Sequence, residues 1–269
     1  MSPSRLTLIF SFLAMVGVQP VPGRSALQIK NDNAQSVLYI EALNEKGEIV
    51  DHGTGFIVSH DGYVITTYHL AANGNTFNAR VGARGGERYT LHKRGFDVQA
   101  NTAILQLSEA TSCWHAVTIS PDHPKEHENL TALGFPGADG LAIANITLSD
   151  TSDLEETFYR STGLFQESDS GGPVFDDEGK VVAFVGAETL AGAKVDDLVS
   201  LAPALSLLAK RGMGTTNDQS RCDQDTALAP VVPKPERNLA HEILNSMIEA
   251  VVHGQVVLGK KTCEALHLD

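Results

Sequence analysis

The feature that most constrains the fold is a long run of short strand-like segments between Ser36 and Val199. Segments such as VLYIEAL (37–43), YVITTYHL (63–70) and KVVAFVGA (180–187) are rich in β-branched and aromatic residues, and Gly, Asp or Asn separates many of them. Short strands with turn residues at their breaks indicate an antiparallel sandwich or barrel rather than alternating strands and helices. The sequence therefore predicts an all-β domain.

The β domain is predicted to end with a short helix, and the composition of the chain changes after it. The segment LAPALSLLAKRG (201–212) has a proline suited to a first helical turn and a basic, glycine-containing end. Residues 215–236 are polar and proline-bearing, which is typical of a linker. Apolar residues then recur at helical spacing within 237–269, which predicts a helical tail. This tail either packs back onto the barrel, which we favour, or binds a partner.

The N-terminus has the layout of a secretory signal. One arginine precedes the apolar run LTLIFSFLAMVGV (6–18), and small residues follow at Gly23 and Ser25. Because the run is short for a membrane-spanning helix, residues 1–23 are predicted to be a removed signal peptide, with an uncleaved anchor as the alternative. The mature chain, with the β domain over 26–214, is then exported and has no membrane association.

Charge and cysteine content exclude several classes of function. The net charge of −13 argues against nucleic acid or anionic lipid as a partner, since both bind clustered Lys and Arg. The chain has no CxxC pair, and no third ligand accompanies His123 and His127, so neither a metal nor another cofactor is predicted. Cys222 and Cys263 lie in the C-terminal part, where an oxidising compartment could pair them and leave Cys113 as a thiol.

The segment ESDSGGPVF (167–175) contains a candidate nucleophile, Ser170. A Ser-Gly-Gly sequence by itself is typical of ordinary surface turns. A nucleophilic serine also needs a base within hydrogen-bond reach, usually a histidine. His69 follows a strand–turn–strand segment with an apolar pattern that would hold its ring rigidly. We therefore take Ser170 and His69 as a candidate catalytic pair.

Both segments resemble motifs of one family. GTGFIVSHDGYVITTYHL (53–70) resembles the segment around the catalytic histidine of trypsin-like serine proteases, particularly the bacterial HtrA-like branch. ESDSGGPVF resembles their Gly-Asp-Ser-Gly-Gly-Pro nucleophile loop, and the two motifs follow the family's order. The resemblance covers about 35–212 and implies two antiparallel six-stranded β-barrels with the site in the cleft between them. The 55 residues after Gly214 are too few for a PDZ domain.

The resemblance also implies an activity and residue roles. It predicts an exported serine endopeptidase, periplasmic or extracellular, that acts on polypeptides; the oligomeric state is left open. Ser170 would attack the scissile carbonyl, and His69 would act as the general base. The backbone N–H groups of Ser168 and Ser170 would form the oxyanion hole, although the family usually has glycine in place of Ser168. Asp169 would stabilise the loop.

The third catalytic position departs from the family pattern. The family has an aspartate just before a strand, whereas this register, DVQANTAIL (97–105), has Asn101 there. An amide is neutral and could turn its NH₂ group toward the histidine, which would favour the wrong tautomer. Asp97, or an acid from elsewhere such as Asp153, is the alternative third member. The function is therefore a weak or specialised hydrolase, with a catalytically silent peptide-binding homologue as the alternative.

Overall fold

The computed structural model of the chain describes residues 23–82, 87–108, 113–136, 140–150, 157–186, 188–190, 193–195 and 197–212. The chain divides into two units, Met1–Gln219 and Ser220–Asp269, and all described residues belong to the first. Residues 1–22 of the predicted signal peptide (1–23), the linker and the helical tail lie outside the described residues, so these segments stay predictions. Within the described ranges, no helix has the length and apolar character needed to cross a membrane.

The first half of the domain is a closed antiparallel barrel. Its strands are β1 (Val37–Leu43), β2 (Ile49–Ile57), β3 (Tyr63–Thr67), β4 (Thr76–Val81), β5 (Arg88–Asp97) and β6 (Thr102–Leu107). They close in the order β1-β2-β3-β6-β5-β4, with β1 paired to both β2 and β4. The turn between β2 and β3 has Gly62 at φ +78°, a left-handed conformation that glycine adopts without steric cost.

The second half repeats this architecture. Its barrel strands are β7 (Asn129–Gly134), β8 (Ala142–Asp150), β9 (Phe158–Ser161), β10 (Pro173–Phe175), β11 (Val181–Val185) and β14 (Asp197–Ser200). A separate hairpin of β12 (Glu188–Leu190) and β13 (Ala193–Val195) precedes β14. The barrel strands close in the order β10-β11-β14-β9-β8-β7. The prediction of an all-β domain with two antiparallel six-stranded barrels is confirmed.

In the described part of the chain, three α-helices accompany the barrels: α1 (Ala26–Asn33), α2 (Tyr68–Asn73) and α3 (Ala202–Lys210). The helix α3, with a proline in its first turn, confirms the predicted closing helix and contacts β5 and β6 of the first barrel. The helix α1 was not predicted; Ser25 and Gln28 form a capping box at its start. It packs on β7 and β8 through the buried Ile29. Each barrel is therefore covered by a helix from the far end of the domain.

One apolar cluster spans the junction of the two barrels, and each barrel has a further cluster of its own. The aromatic contacts of the spanning cluster cross the junction: the rings of Tyr39 and Phe135 lie 5.7 Å apart, and those of Phe56 and Phe184 lie 6.3 Å apart. All four side chains are almost completely buried. Because close-packed cores resist sliding, this junction fixes one barrel relative to the other. A site built from both barrels therefore stands on a close-packed junction.

The cysteine prediction is wrong in one respect. Cys113 lies in the connection between the barrels and is disulfide-bonded rather than a thiol. Cys222 and Cys263 lie outside the described residues. The error arose because proximity along the sequence, the only guide to pairing that the chain offered, does not determine which cysteines meet in the fold.

Candidate active site

The first barrel supplies the candidate base. His69 is the second residue of α2, directly after β3, and its ring is half-buried. The backbone N–H of the preceding residue, Tyr68, donates to the carbonyl oxygen of Asn101 at 3.0 Å. The His69 Nδ1 atom lies 3.2 Å from Asn101 Oδ1. The start of α2 is thus tied to the turn that carries Asn101 through both backbone and side-chain contacts.

The second barrel supplies the candidate nucleophile. Ser170 follows a 3₁₀ turn over Glu167–Asp169 and is 1% exposed. Its Oγ lies 3.3 Å from His69 Nε2. The next residue, Gly171, has φ +87°, and a Cβ there would lie 2.0 Å from the carbonyl oxygen of Thr54. Only glycine fits this position, so the loop can press its backbone against the first barrel.

The orientation of the Asn101 amide follows from a backbone contact. Its Oδ1 atom lies 3.2 Å from the backbone nitrogen of His69 as well as from Nδ1. A backbone N–H is only a donor, so the amide atom that faces it must be the oxygen. The same oxygen then accepts a hydrogen bond from Nδ1–H, which leaves the Nε2 lone pair directed at Ser170. Asn101 therefore favours the tautomer that a general base needs, contrary to the risk that its NH₂ group faces the ring.

The alternative third residues occupy other places. The Asp97 carboxylate accepts a hydrogen bond from the Ala100 backbone N–H at 3.1 Å, which makes it a turn-forming residue at the end of β5. Asn101 closes this turn with φ 44°, a left-handed conformation that asparagine tolerates better than most side chains. Asp153 lies outside the described residues. The structure thus brings Asn101, rather than Asp97, to His69.

The oxyanion hole is not assembled in this conformation. The backbone N–H of Ser170 donates to the carbonyl oxygen of Glu167 at 3.1 Å, inside the 3₁₀ turn, instead of pointing to a substrate oxygen. Asn101 and His127 are the non-glycine residues with positive φ in the described ranges, so Ser168 lies outside the left-handed region. The expected convergence of the Ser168 and Ser170 N–H groups is therefore not met, because the turn uses one of these donors internally.

A further hydroxyl at the site was missed from the sequence. Thr67 is completely buried, and its Oγ1 lies 3.4 Å from Ser170 Oγ and 3.5 Å from His69 Nε2. Thr67 is the last residue of β3 and His69 lies in α2, so the alternation of side chains along a strand did not indicate this contact. Within the described residues, two hydroxyls and an amide contact the His69 ring. Among the described residues, no group of three or more His, Cys, Asp or Glu side chains could hold a metal ion.

Two closed β-barrels with a serine and a histidine at their junction define the trypsin-like class of peptidase folds. Residues 53–184 match the trypsin-like peptidase domain family.

The chain is similar to proteins named as probable periplasmic DegP-like serine endoproteases. The one from Marinomonas sp. (strain MWYL1) is 29% identical over 147 residues, 53% of this chain and 31% of that protein. The one from Pseudomonas fulva (strain 12-X) is 30% identical over 135 residues, 48% of this chain and 28% of that protein. The chain thus spans less than a third of the length of these relatives.

Two solved structures share the fold. The serine endoprotease from Yersinia pestis has a TM-score of 0.59 at 19% identity, over 71% of this chain and 67% of that one. The Rv3671c protease of M. tuberculosis H37Rv, in an inactive form, has a TM-score of 0.55 at 21% identity, over 72% of this chain and all of the other. At these identities the likeness supports the fold alone.

Proposed function

We propose that this protein is an exported serine endopeptidase that cleaves peptide bonds through an acyl-enzyme on Ser170. The observation that carries the proposal is the continuous chain of contacts from Ser170 Oγ to His69 Nε2 (3.3 Å) and from His69 Nδ1 to Asn101 Oδ1 (3.2 Å). A nucleophile, a base and a group that orients the base are the three parts that acyl transfer requires. Polypeptides are the proposed substrates.

The reaction follows from this geometry. Ser170 Oγ attacks the scissile carbonyl carbon while its proton passes to His69 Nε2. The protonated ring then donates this proton to the departing amine, which leaves the acyl group on Ser170. A water molecule attacks the acyl carbon in the second half, again deprotonated by Nε2, and the proton returns to Ser170. Throughout, Asn101 Oδ1 accepts from Nδ1–H and keeps the ring in position.

The activity is proposed to be weak for two reasons. Asn101 orients His69 without the negative charge that stabilises the protonated ring. Moreover, catalysis requires the Glu167–Ser168 peptide to turn over, so that its carbonyl releases the Ser170 N–H and the Ser168 N–H faces the substrate oxygen. Loss of one oxyanion donor costs about 10²- to 10³-fold in turnover. Substrate binding would therefore have to favour the turned conformation.

Export is part of the proposal. It is supported by the N-terminal sequence pattern and by the periplasmic names of the DegP-like relatives. Protein recovered from a periplasmic fraction or culture medium is expected to begin near Arg24 or Ala26 by mass spectrometry. A chain that retains Met1 in that fraction would contradict removal of the signal peptide.

A peptide-binding module without catalysis is the second candidate function. The closed turn over Glu167–Asp169 favours it, since Ser170 would then be a buried structural residue beside His69. The two candidates differ in whether Ser170 is nucleophilic, which chemical labelling measures directly.

The test is fluorophosphonate labelling of the purified, processed full-length chain, with the modified residue mapped by mass spectrometry. We expect slow, stoichiometric labelling of Ser170. A Ser170→Ala variant should not label, and a His69→Ala variant should label much more slowly because the base is lost. No labelling of Ser170, with or without a mixture of unfolded polypeptides added as inducing ligand, would leave the binding module as the function.

A further inference from the structure

We infer that Thr54 is a positioning residue that holds the nucleophile of the second barrel in register with the base of the first. The inference rests on the proposed function, because it assigns a role at the same site. Thr54 lies in β2 of the first barrel, in the motif GTGF, and is completely buried. No feature of the sequence pattern gave it a role.

Thr54 makes hydrogen bonds with three separated segments. Its Oγ1 donates to the carbonyl oxygen of Ser168 at 2.8 Å and accepts from the backbone N–H of Phe135 at 3.3 Å. Its backbone N–H donates to the carbonyl oxygen of Ser170 at 2.8 Å. Its own carbonyl oxygen accepts from Thr66 Oγ1 at 2.7 Å. One buried residue of the first barrel therefore contacts the Ser168 carbonyl inside the 3₁₀ turn and the carbonyl of the nucleophile Ser170 that follows it.

The hydroxyl is the part of Thr54 that the sequence specifies. Any non-proline residue would keep the backbone contact with Ser170, but only the hydroxyl reaches Ser168 and Phe135. Both partners are backbone groups of buried residues, so water does not readily replace the hydroxyl. The side chain of Thr54 thus fixes the middle of the turn at Ser168, and the backbone of Thr54 fixes Ser170.

This arrangement matters because the nucleophile and base stand on different barrels. The contact between Ser170 Oγ and His69 Nε2 is already 3.3 Å, so any drift of the loop breaks it. A misplacement of about 1 Å can lower a rate about 10²-fold. The Glu167–Ser168 peptide precedes both carbonyls that Thr54 anchors, so this peptide can turn over while Ser170 stays in place.

The test compares Thr54→Val, which keeps the shape and loses the hydroxyl, with Thr54→Ser, which keeps the hydroxyl. Ser59→Ala is the matched control, since Ser59 is also buried on the first barrel and its Oγ accepts one backbone N–H, that of Tyr63. Two properties are measured in each purified full-length variant. They are the ¹⁵N chemical shift of His69 Nε2, with Ser170→Ala as the reference for a lost contact, and the rate of fluorophosphonate labelling at Ser170.

We expect Thr54→Val to move the Nε2 shift toward the value in Ser170→Ala and to slow labelling about 10- to 100-fold. Thr54→Ser should restore both, and Ser59→Ala should lower the melting temperature without changing either. If Thr54→Val does not fold, Thr54→Ala replaces it with the same expectations. An unchanged Nε2 shift in the hydroxyl-free variant, or a Thr54→Ser variant that fails to restore it, would overturn the inference.

The shift and the labelling also separate this inference from the proposed function. If the wild-type chain does not label but the Nε2 shift moves in Thr54→Val, the peptidase proposal fails and the positioning role stands. If the wild-type chain labels and Thr54→Val labels at the same rate with the same shift, the peptidase proposal stands and the positioning role fails.

Discussion

Asn101→Asp is the change that most directly tests how the site works. It replaces the amide NH₂ by an oxygen and adds one negative charge, with almost no change of shape. Asn101 Oδ1 already accepts from both the backbone N–H and the Nδ1 of His69 at 3.2 Å. The tautomer of His69 is therefore already the productive one, and the substitution adds only the interaction of a charge with the protonated ring.

The size of the gain follows from that distinction. A neutral hydrogen bond contributes about 0.5–1.5 kcal/mol and one to a charged group about 1.5–3 kcal/mol, so the difference is about 1–2 kcal/mol. Coulomb's law at the observed 3.2 Å, with an effective dielectric constant of about 20, sets an upper bound of about 5 kcal/mol. Since Asn101 is half-buried, water screens the charge and the lower range applies. We expect kcat/KM to rise about 5- to 30-fold.

The assay is the second-order rate of Ser170 acylation, by fluorophosphonate and by an activated ester, in the wild type and in Asn101→Asp. The ¹⁵N spectrum of His69 is recorded in both proteins to identify the tautomer. Asp97→Ala should leave the rate nearly unchanged, because Asp97 bonds the Ala100 N–H rather than the ring. The gain must disappear in the double variant with Ser170→Ala.

Two results would refute this reasoning. A gain near the roughly 10⁴-fold lost when a protease's aspartate is replaced by asparagine, with a change of tautomer, would mean that the amide presents its NH₂ group to the ring. A rate that falls in Asp97→Ala by as much as it does in His69→Ala would mean that Asp97 orients the base and that Asn101 does not.

Three further changes have defined outcomes. Ser168→Gly should raise the labelling rate about 5- to 30-fold, since a non-glycine residue costs about 1–2 kcal/mol in a left-handed conformation; no change would show that turning the peptide does not limit the reaction. Thr67→Val should raise the labelling rate about twofold, because the Ser170 hydroxyl can no longer donate to Thr67 instead of His69 Nε2. A lower labelling rate would show that the Thr67 hydroxyl assists the reaction of Ser170. The Lys180 hydrogen bond holds the pKa of Glu178 below its usual value, so this pair stabilises the fold above the unfolded-state pKa of Glu178 and the stabilisation is lost as the pH falls through the folded-state pKa. Glu178→Gln should abolish that loss of stability at acidic pH, as measured in thermal melts. Its effect at neutral pH should be small, because both groups are exposed.

The parts of the site that sequence reasoning found are those carried by local patterns. The segments around His69 and Ser170 are compact motifs, and Asn101 could be located because the following strand fixes its register. The all-β class followed from strand length and turn residues, whereas the two barrels were implied by the resemblance that these motifs carry. In each case neighbouring residues in the sequence contain enough information to define the local structure.

The parts that it missed depend on distant contacts or on alternative backbone states. The Thr54 hydroxyl meets the Ser168 carbonyl across 114 positions of sequence, and no local pattern reports such a contact. The 3₁₀ turn that occupies the Ser170 N–H and the open oxyanion hole differ by rotation of one peptide unit, which the same residues permit. Sequence reasoning could therefore locate the oxyanion donors but could not determine which way they point.

The distribution of buried polar groups favours catalysis over passive binding. Within the described residues, five of the buried polar side chains lie together at the barrel junction: Thr54, Thr66, Thr67, Ser168 and Ser170. Burying hydroxyls costs free energy unless each is hydrogen-bonded. Apolar residues of similar size would stabilise such a junction without that cost. A domain that only bound peptides on its surface would have no need of hydroxyls inside this junction. Here the Thr67 hydroxyl contacts both Ser170 Oγ and His69 Nε2, and the Thr54 hydroxyl holds the Ser168 carbonyl. Local departures from apolar packing of this kind concentrate where a site does chemistry.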